Sequence, residues 1–458
     1  MQKIGHLNLA VCIFENIVRQ ISHPAWVSQQ SPATRPPFHK NRQKNAVVVE
    51  SVGSHSSAES RLSVNQTQIL PVAPPRQKRL WAVWLLFFFQ FAAIGVYYTY
   101  LNIYYRNAGL SGTQIGLINM TTALIGVASV AGWGYLSDLT GKNRYLIAIG
   151  AGGALLVAQF IPLVNSFMGF LALGALGSVL SAAPATLVDS TTLAMLGSRR
   201  EDYGLFRLGG TLGYIITSLS AGFIFDQAGL RWMFPSYGAL MLLFALTALL
   251  LPDVAPAPMN RAKGDLAQLV RQPAWIIFTV SIFFAWIAVN SSIQFMGVSL
   301  QALGANQSLI GIAVTIGAVI EIPFMFFSGR LLRRFGPVRL LLVSFVLMVI
   351  RFFLLGWMPS PEWAIAINML AGPAYAFFWN SAITYLNKMA TTATANTAQG
   401  LFNSVISLAG MVSALLAGWL FDLIGPNGLY TVMAFCALGA LFTFAIGSRL
   451  SAPAAFQK

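Results

Sequence analysis

Four ionisable side chains stand well inside otherwise apolar runs of this 458-residue chain: Asp189, Arg207, Glu321 and Arg351. An ionised group in hydrocarbon costs at least ~2.5–3.5 kcal/mol, so each should face a partner or a wet cavity. Their spacing suggests two pairs. Asp189 precedes Gly197 by eight residues and Arg207 follows Asp202 by five. At a helical rise of 1.5 Å per residue, these lie at depths of roughly 12 and 8 Å in an antiparallel hairpin. Glu321 and Arg351 flank the segment 330–338 at roughly 14 and 20 Å by the same arithmetic, within the extra reach of an arginine. Two chemistries fit. The pairs could hold hairpins together, or the acids could exchange a proton or bind a solute while the arginines approach and withdraw. A nearby arginine favours an ionised carboxylate and an apolar surround disfavours it, so gain and loss of that contact would switch protonation.

Long apolar helices are what must position these charges. Hydrophobic residues make up 56% of the chain and charged residues 9%, against roughly 25% charged in soluble domains, which excludes an ordinary globular enzyme. A helical span needs ~20 apolar residues. Runs of that kind occur at 81–105, 113–136, 145–164, 166–195, 205–225, 232–251, 274–302, 307–328, 340–357, 362–386, 400–421 and 428–447. The expected fold is therefore an all-α membrane protein with twelve transmembrane helices.

The formal charge of +15 would ordinarily raise nucleic-acid binding, so the placement of the bases matters. With the N-terminal tail inside, 24 Lys and Arg fall on its side and only Arg106 and Arg231 on the other, leaving Arg207 and Arg351 within spans. Basic loops stay cytoplasmic, so both termini are expected in the cytoplasm and nucleic acid is not expected as a partner. Residues 1–79, polar and rich in Ser, Gln, Pro and His, read as a disordered cytoplasmic tail. In that tail the apolar patch Leu7 to Phe14 runs into Glu15 without a small-residue cleavage site, which argues against a signal peptide. Cys12 and Cys436 lie in unlike surroundings, and no Cys/His cluster has metal-ligand spacing. No metal or cofactor is expected, and no nucleophile, base and oxyanion donors cluster as in an enzyme.

The two halves of the chain echo each other. Gly109, Ile115 and Gly116 recur as Gly304, Ile310 and Gly311, displaced by 195. The segment Gly204 to Arg207 (GLFR) recurs as Gly400 to Asn403 (GLFN), and Ala221 to Gly229 (AGFIFDQAG) as Ala417 to Gly425 (AGWLFDLIG), both displaced by 196. Six helices per unit preserve orientation, so the copies are parallel repeats. The expected organisation is an N-terminal half at 80–251, a cytoplasmic linker at 252–273, a C-terminal half at 274–449 and a short cytoplasmic tail at 450–458.

After the second span the chain reads Gly134-Tyr-Leu-Ser-Asp138-Leu-Thr-Gly141-Lys142-Asn-Arg144. With the duplicated six-helix halves, this resembles the major facilitator superfamily and its G-x-L-x-D-R-x-G-R-R loop, although Leu139 replaces the arginine after the acid. The resemblance implies a gating role for Gly134, Asp138, Gly141, Lys142 and Arg144. Physically, Gly134 would let helices approach closely, and Asp138 could meet a base or a helix N-terminus. The stretch Asp202 to Tyr214 is similar to the Y-G-x-x-R-x-x-G-S-x-G-F pattern of the phenylpropionate-permease and nucleoside-symporter branch. An acid in helix 4 with an arginine in helix 5, and an acid in helix 8 with an arginine in helix 9, also resembles the lactose-permease-like proton symporters. Helix 10 lacks their His and Glu pair, so their proton handling does not carry over.

Polar residues at helical spacing suggest a central cavity. The candidates are Gln90, Tyr97 and Tyr104 in helix 1, Tyr214 in helix 5, and Asn290 and Gln294 in helix 7. Helix 10 adds Asn368, Tyr375 and Trp379, and helix 11 adds Asn403. Amides and tyrosines also join helices to each other, so packing is the alternative for each. Amides beside aromatics suit a neutral or aromatic-bearing small organic solute. The expectation is a monomeric secondary transporter in the lipid bilayer of the cytoplasmic membrane, working by alternating access, with protons as coupling ion in symport. An exporter of the same fold and a non-transporting receptor remain alternatives.

Overall fold

The computed structural model describes residues 80–253, 270–390 and 394–450. The expected tail 1–79, the linker residues 254–269 and the terminal residues 451–458 lie outside the described residues. Six helices form the first half: α1 (Leu80–Asn107), α2 (Gly112–Thr140), α3 (Asn143–Phe160), α4 (Phe167–Leu196), α5 (Tyr203–Ala228) and α6 (Met233–Leu249). The second half opens with α7 (Pro273–Ala302). The helical stretch Gln307–Gly356 is broken at Gly336 (φ 77°, ψ 161°) into α8 (307–335) and α9 (337–356). Two pieces, Trp363–Asn368 and Ala371–Met389, make up α10. The stretch Ala395–Leu450 is broken at Gly425 (φ 70°, ψ −176°) into α11 (395–424) and α12 (426–450).

Nine helical stretches among the described residues are long and apolar enough to cross a membrane. Two of these hold a pair of spans each, and α10, made less apolar by Asn380, Thr384, Asn387 and Lys388, completes the twelve. The duplication is visible in how the helices begin. Gly109 (φ 91°) turns α1 into α2 and Gly304 (φ 93°) turns α7 into α8, a left-handed conformation that a side chain would strain. Each turn feeds a capped N-terminus: Ser111 Oγ accepts from Gln114 N at 3.1 Å, and Asn306 Oδ1 from Leu309 N at 2.9 Å.

The two halves meet along α1 with α7, α2 with α11 and α5 with α8. At the end of the bundle carrying the α1–α2 turn this seam is tight. A methyl group added at Gly116 would collide with the Ala414 carbonyl, one at Gly418 with the Gly112 carbonyl, and one at Gly311 would come within 2.8 Å of the Ser218 carbonyl. Small residues allow such backbone approach. At the end carrying the α2–α3 loop, Gly132 and Gly134 on α2 and Gly400 on α11 have no described heavy atom within 4 Å of the corresponding position. The expected close approach at Gly134 is therefore absent, because the halves are parted there. Large apolar side chains such as Leu156, Phe326 and Ile446 point outward and exposed, as suits helices whose solvent is lipid.

Candidate functional site

In the first half the charges are organised by a hydroxyl. A 3-10 segment, Gly197–Asp202, joins α4 to α5, so Tyr203 opens α5 and Arg207 follows one turn later on the same face. Tyr203 donates its phenolic proton to Asp189 Oδ1 at 2.8 Å and accepts from Arg207 Nη1 at 3.1 Å. The guanidinium also lies 5.6 Å over the Phe91 ring of α1. The direct Asp189–Arg207 ion pair expected from depth does not form; the tyrosine stands between them. Helical depth fixes height along the bundle and leaves the azimuth of each side chain undetermined.

The second expected pair is also replaced. Arg351 is 9% exposed and buried on α9. Its Nη2 donates to Ser292 Oγ at 3.0 Å and to Asn368 Oδ1 at 2.9 Å, and its Nε to the same oxygen at 3.2 Å. Asn368 in turn donates to the Ala313 carbonyl at 2.9 Å. Neutral acceptors from α7 and α10 thus answer the cation, with α8 holding Asn368 in place, and among the described residues no carboxylate pairs with it. Glu321 faces elsewhere. Gly372 of α10 packs against the backbone at Ile320 and Glu321, and the cation that acts electrostatically on this carboxylate is Arg207 of the opposite half.

Aromatic rings stand beside that cross-seam pair. Tyr375 and Trp379 stack at 6.2 Å and 8°, and Trp286 of α7 lies 6.4 Å from the first and 6.0 Å from the second. Tyr375 is within electrostatic range of both Glu321 and Arg207. Arg207, Tyr203 and Asp189 from one half therefore converge with Glu321, Tyr375, Trp379 and Trp286 from the other. Tyr203, Trp286 and Phe91 were not among the residues expected from sequence. Two had a signal: Tyr203 is four residues before Arg207, and Trp286 four before Asn290.

Several other candidates are placed in packing. Tyr97 stacks on Tyr237 at 4.3 Å, and Tyr104 meets Phe234 edge-on at 4.9 Å, both within the first half. Asn368 is the buried partner of Arg351, and Asn290 donates to Ser413 Oγ at 2.6 Å, joining α7 to α11. Tyr214 lies beside Thr99 and Ser218. The Gln294 carbonyl accepts from Asn102 Nδ2 at 2.8 Å across the seam, while its side-chain oxygen is buried without a hydrogen-bond partner. Gln90 is half-buried and Asn403 exposed. In the loop after α2, Gly141 (φ 62°) ends the helix and Lys142 and Asp138 are exposed. Arg144 pairs with Asp253, beyond α6, at 3.1 Å.

A duplicated six-helix bundle with Asp189, Arg207 and Glu321 near the seam between halves invites comparison with known proteins. The model of the MFS_1 like family matches residues 80–432. The chain belongs to that family. It is a membrane transporter of the MFS type, built from two parallel six-helix repeats. Maltose permease of Geobacillus stearothermophilus is 27% identical over 369 residues, covering 80% of this chain and 94% of that protein. A probable 3-phenylpropionic acid transporter of Escherichia coli (strain K12) is 23% identical over 371 residues, covering 78% and 94%. The crystal structure of the nucleoside transporter NupG superposes with a TM-score of 0.66 at 18% identity, covering 80% of this chain and 98% of that one. This MFS chain shares that transporter's fold.

Proposed function

We propose that this protein moves a small organic solute across the cytoplasmic membrane by alternating access, coupled to proton symport. The observation that carries the reading is Arg207. It is tied through Tyr203 to Asp189 in its own half and acts electrostatically on Glu321 of the other half without an ion pair within 4 Å. A cation shared between halves makes their relative position depend on the charge of Glu321, which is the requirement for coupling a proton to a conformational change. With Glu321 ionised, attraction to Arg207 holds the halves together at the site. A proton on Glu321 removes that attraction and leaves Arg207 free for solute. The stack of Tyr375, Trp379 and Trp286 offers flat apolar faces for a sugar or aromatic ring, with Arg207 as donor to its oxygens. Sugar, aryl-acid and nucleoside solutes in the names of the relatives agree with such a surface.

The basic loop residues Lys142, Arg144, Arg330, Arg333, Arg334 and Arg339 lie at the open end, so by the charge rule that end faces the cytoplasm. Uptake into proteoliposomes under an imposed proton gradient, with sugars, nucleosides and aryl acids as trial solutes, tests the assignment. Glu321→Gln is expected to abolish gradient-driven accumulation while leaving solute exchange measurable. Full accumulation by that variant would discard Glu321 as the coupling group.

A further inference from the structure

At the closed end of the seam, two carboxylates reach from one half onto helix N-termini of the other. Asp226, at the end of α5, accepts from the backbone N–H of Gln307 at 2.7 Å and of Ser308 at 2.9 Å, and from the Ser308 hydroxyl. Asp422, at the end of α11, accepts from the N–H of Gly112 and of Thr113, each at 2.7 Å, and from the Thr113 hydroxyl at 2.7 Å. The two aspartates are equivalent residues of the AGFIFDQAG and AGWLFDLIG repeat, displaced by 196, and the helix starts they grip are displaced by 195. Each therefore makes, in the opposite half, the contact that its counterpart makes in return.

We infer that Asp226 and Asp422 are paired latches that hold this end of the transporter shut, and that both must let go for it to open. The chemistry suits a reversible catch. The N-caps Ser111 and Asn306 already serve the third amides of α2 and α8. The first two amides are left for the aspartates, at the positive end of the helix dipole. Charge-assisted hydrogen bonds of this kind are among the stronger ones. Both carboxylates are exposed, with Thr113, Gln307 and Ser308 half-buried and Gly112 buried beneath Asp422, so on opening, water replaces the carboxylate on the amides and the amides on the carboxylate. The latches sit beside the glycines that set the tight seam: a methyl group at Gly112 would come within 2.9 Å of the Asp422 carboxylate, and one at Gly222 within 2.6 Å of the Gln307 carbonyl. Arg106 also acts electrostatically on Asp422.

Distances between spin labels test the proposal in the full chain. Ala108 and Ala302 are exposed and flank the Asn107–Gln301 hydrogen bond across the seam, 3.1 Å long. Both would be changed to cysteine and labelled after Cys12 and Cys436 are replaced by serine. The unmodified latches should give one short-distance population. Asp226→Ala and Asp422→Ala should each raise the ratio of long to short distances by about tenfold, the scale of one charge-assisted hydrogen bond, and together by the product of the two. Thr113→Val and Ser308→Ala, which remove one hydroxyl each and leave the aspartates in place, should shift it less and in the same direction. A distribution unchanged in the folded double aspartate variant overturns the latch. If that variant does not fold, an unchanged distribution in Thr113→Val and Ser308→Ala overturns it instead. The latch bears on alternating access, yet the distances are read without any solute or proton gradient, so failure of the proposed symport leaves this test intact.

Discussion

Two arginines lie inside the spans, one in the helix after each intramembrane acid, and the protein treats them in opposite ways. Arg207 is exposed, tied through a tyrosine to one carboxylate and within electrostatic range of another in the opposite half. Arg351 is buried within the second half, and its partners Ser292 and Asn368 carry no charge. Only one of the two cations lies at the seam between the halves. A buried cation held by neutral dipoles cannot trade partners without unfolding its surroundings, whereas a cation between a phenol and an opposed carboxylate can. The difference separates a group fit for coupling from one fit for holding helices together.

The sharpest break of that comparison is to remove each cation in turn. Arg207→Ala should lower gradient-driven solute uptake by about a hundredfold while changing stability by less than about 0.5 kcal/mol, the usual limit for exposed positions. Arg351→Ala should do the reverse at the level of the fold. It strands the Asn368 and Ser292 acceptors in the interior and leaves a cavity, at a combined cost of about 3 kcal/mol or more. Uptake per folded molecule, measured beside the melting midpoint in detergent, reads both effects. Equal melting midpoints for the two variants would erase the distinction.

The bundle was legible in the sequence because lipid imposes a simple rule: each span must be long, apolar and helical, and Gly109, Gly304, Gly336 and Gly425 mark the turns between spans. The identity of the charged groups was legible for the same reason, since Asp189, Arg207, Glu321 and Arg351 are costly in such a setting. Their partners were not. Residue counting gave heights of roughly 12 and 8 Å for Asp189 and Arg207, but the 3-10 segment Gly197–Asp202 sets the rotation of α5 and brings Tyr203 between them. Glu321 and Arg351 flank one turn yet look toward different helices. Asp226 and Asp422 were visible as an acid recurring in both repeats. Only the packing of α5 on α8 and α11 on α2 brings each onto an opposing helix start.

A smaller test sharpens the role of the phenol. Tyr203→Phe keeps the ring and removes the atom through which Asp189 and Arg207 communicate. Arg207 then keeps Glu321 as its facing charge but loses the contact that restrains it in its own half. Accumulation driven by a proton gradient should fall by about tenfold, the scale of one hydrogen bond to a charged group. Solute exchange without a gradient should fall less. An equal loss in both assays would make Tyr203 a solute contact and not a link between charges.

The mildest probe falls on the other arginine. Ser292→Ala deletes a single neutral acceptor from Arg351 Nη2 and leaves both bonds to Asn368 in place. One buried hydrogen bond of this type contributes about 1–3 kcal/mol, so the melting midpoint should drop by a few degrees. Uptake per folded molecule should stay within about twofold of the parent, since nothing at the seam is touched. Asn368→Ala, which removes two bonds to the same guanidinium, should lower the midpoint further in the same direction and again spare uptake. If uptake collapsed in Ser292→Ala while the midpoint held, Arg351 would have to be part of the moving machinery. The asymmetry between the halves would then lie in the partners of the two arginines and not in their roles.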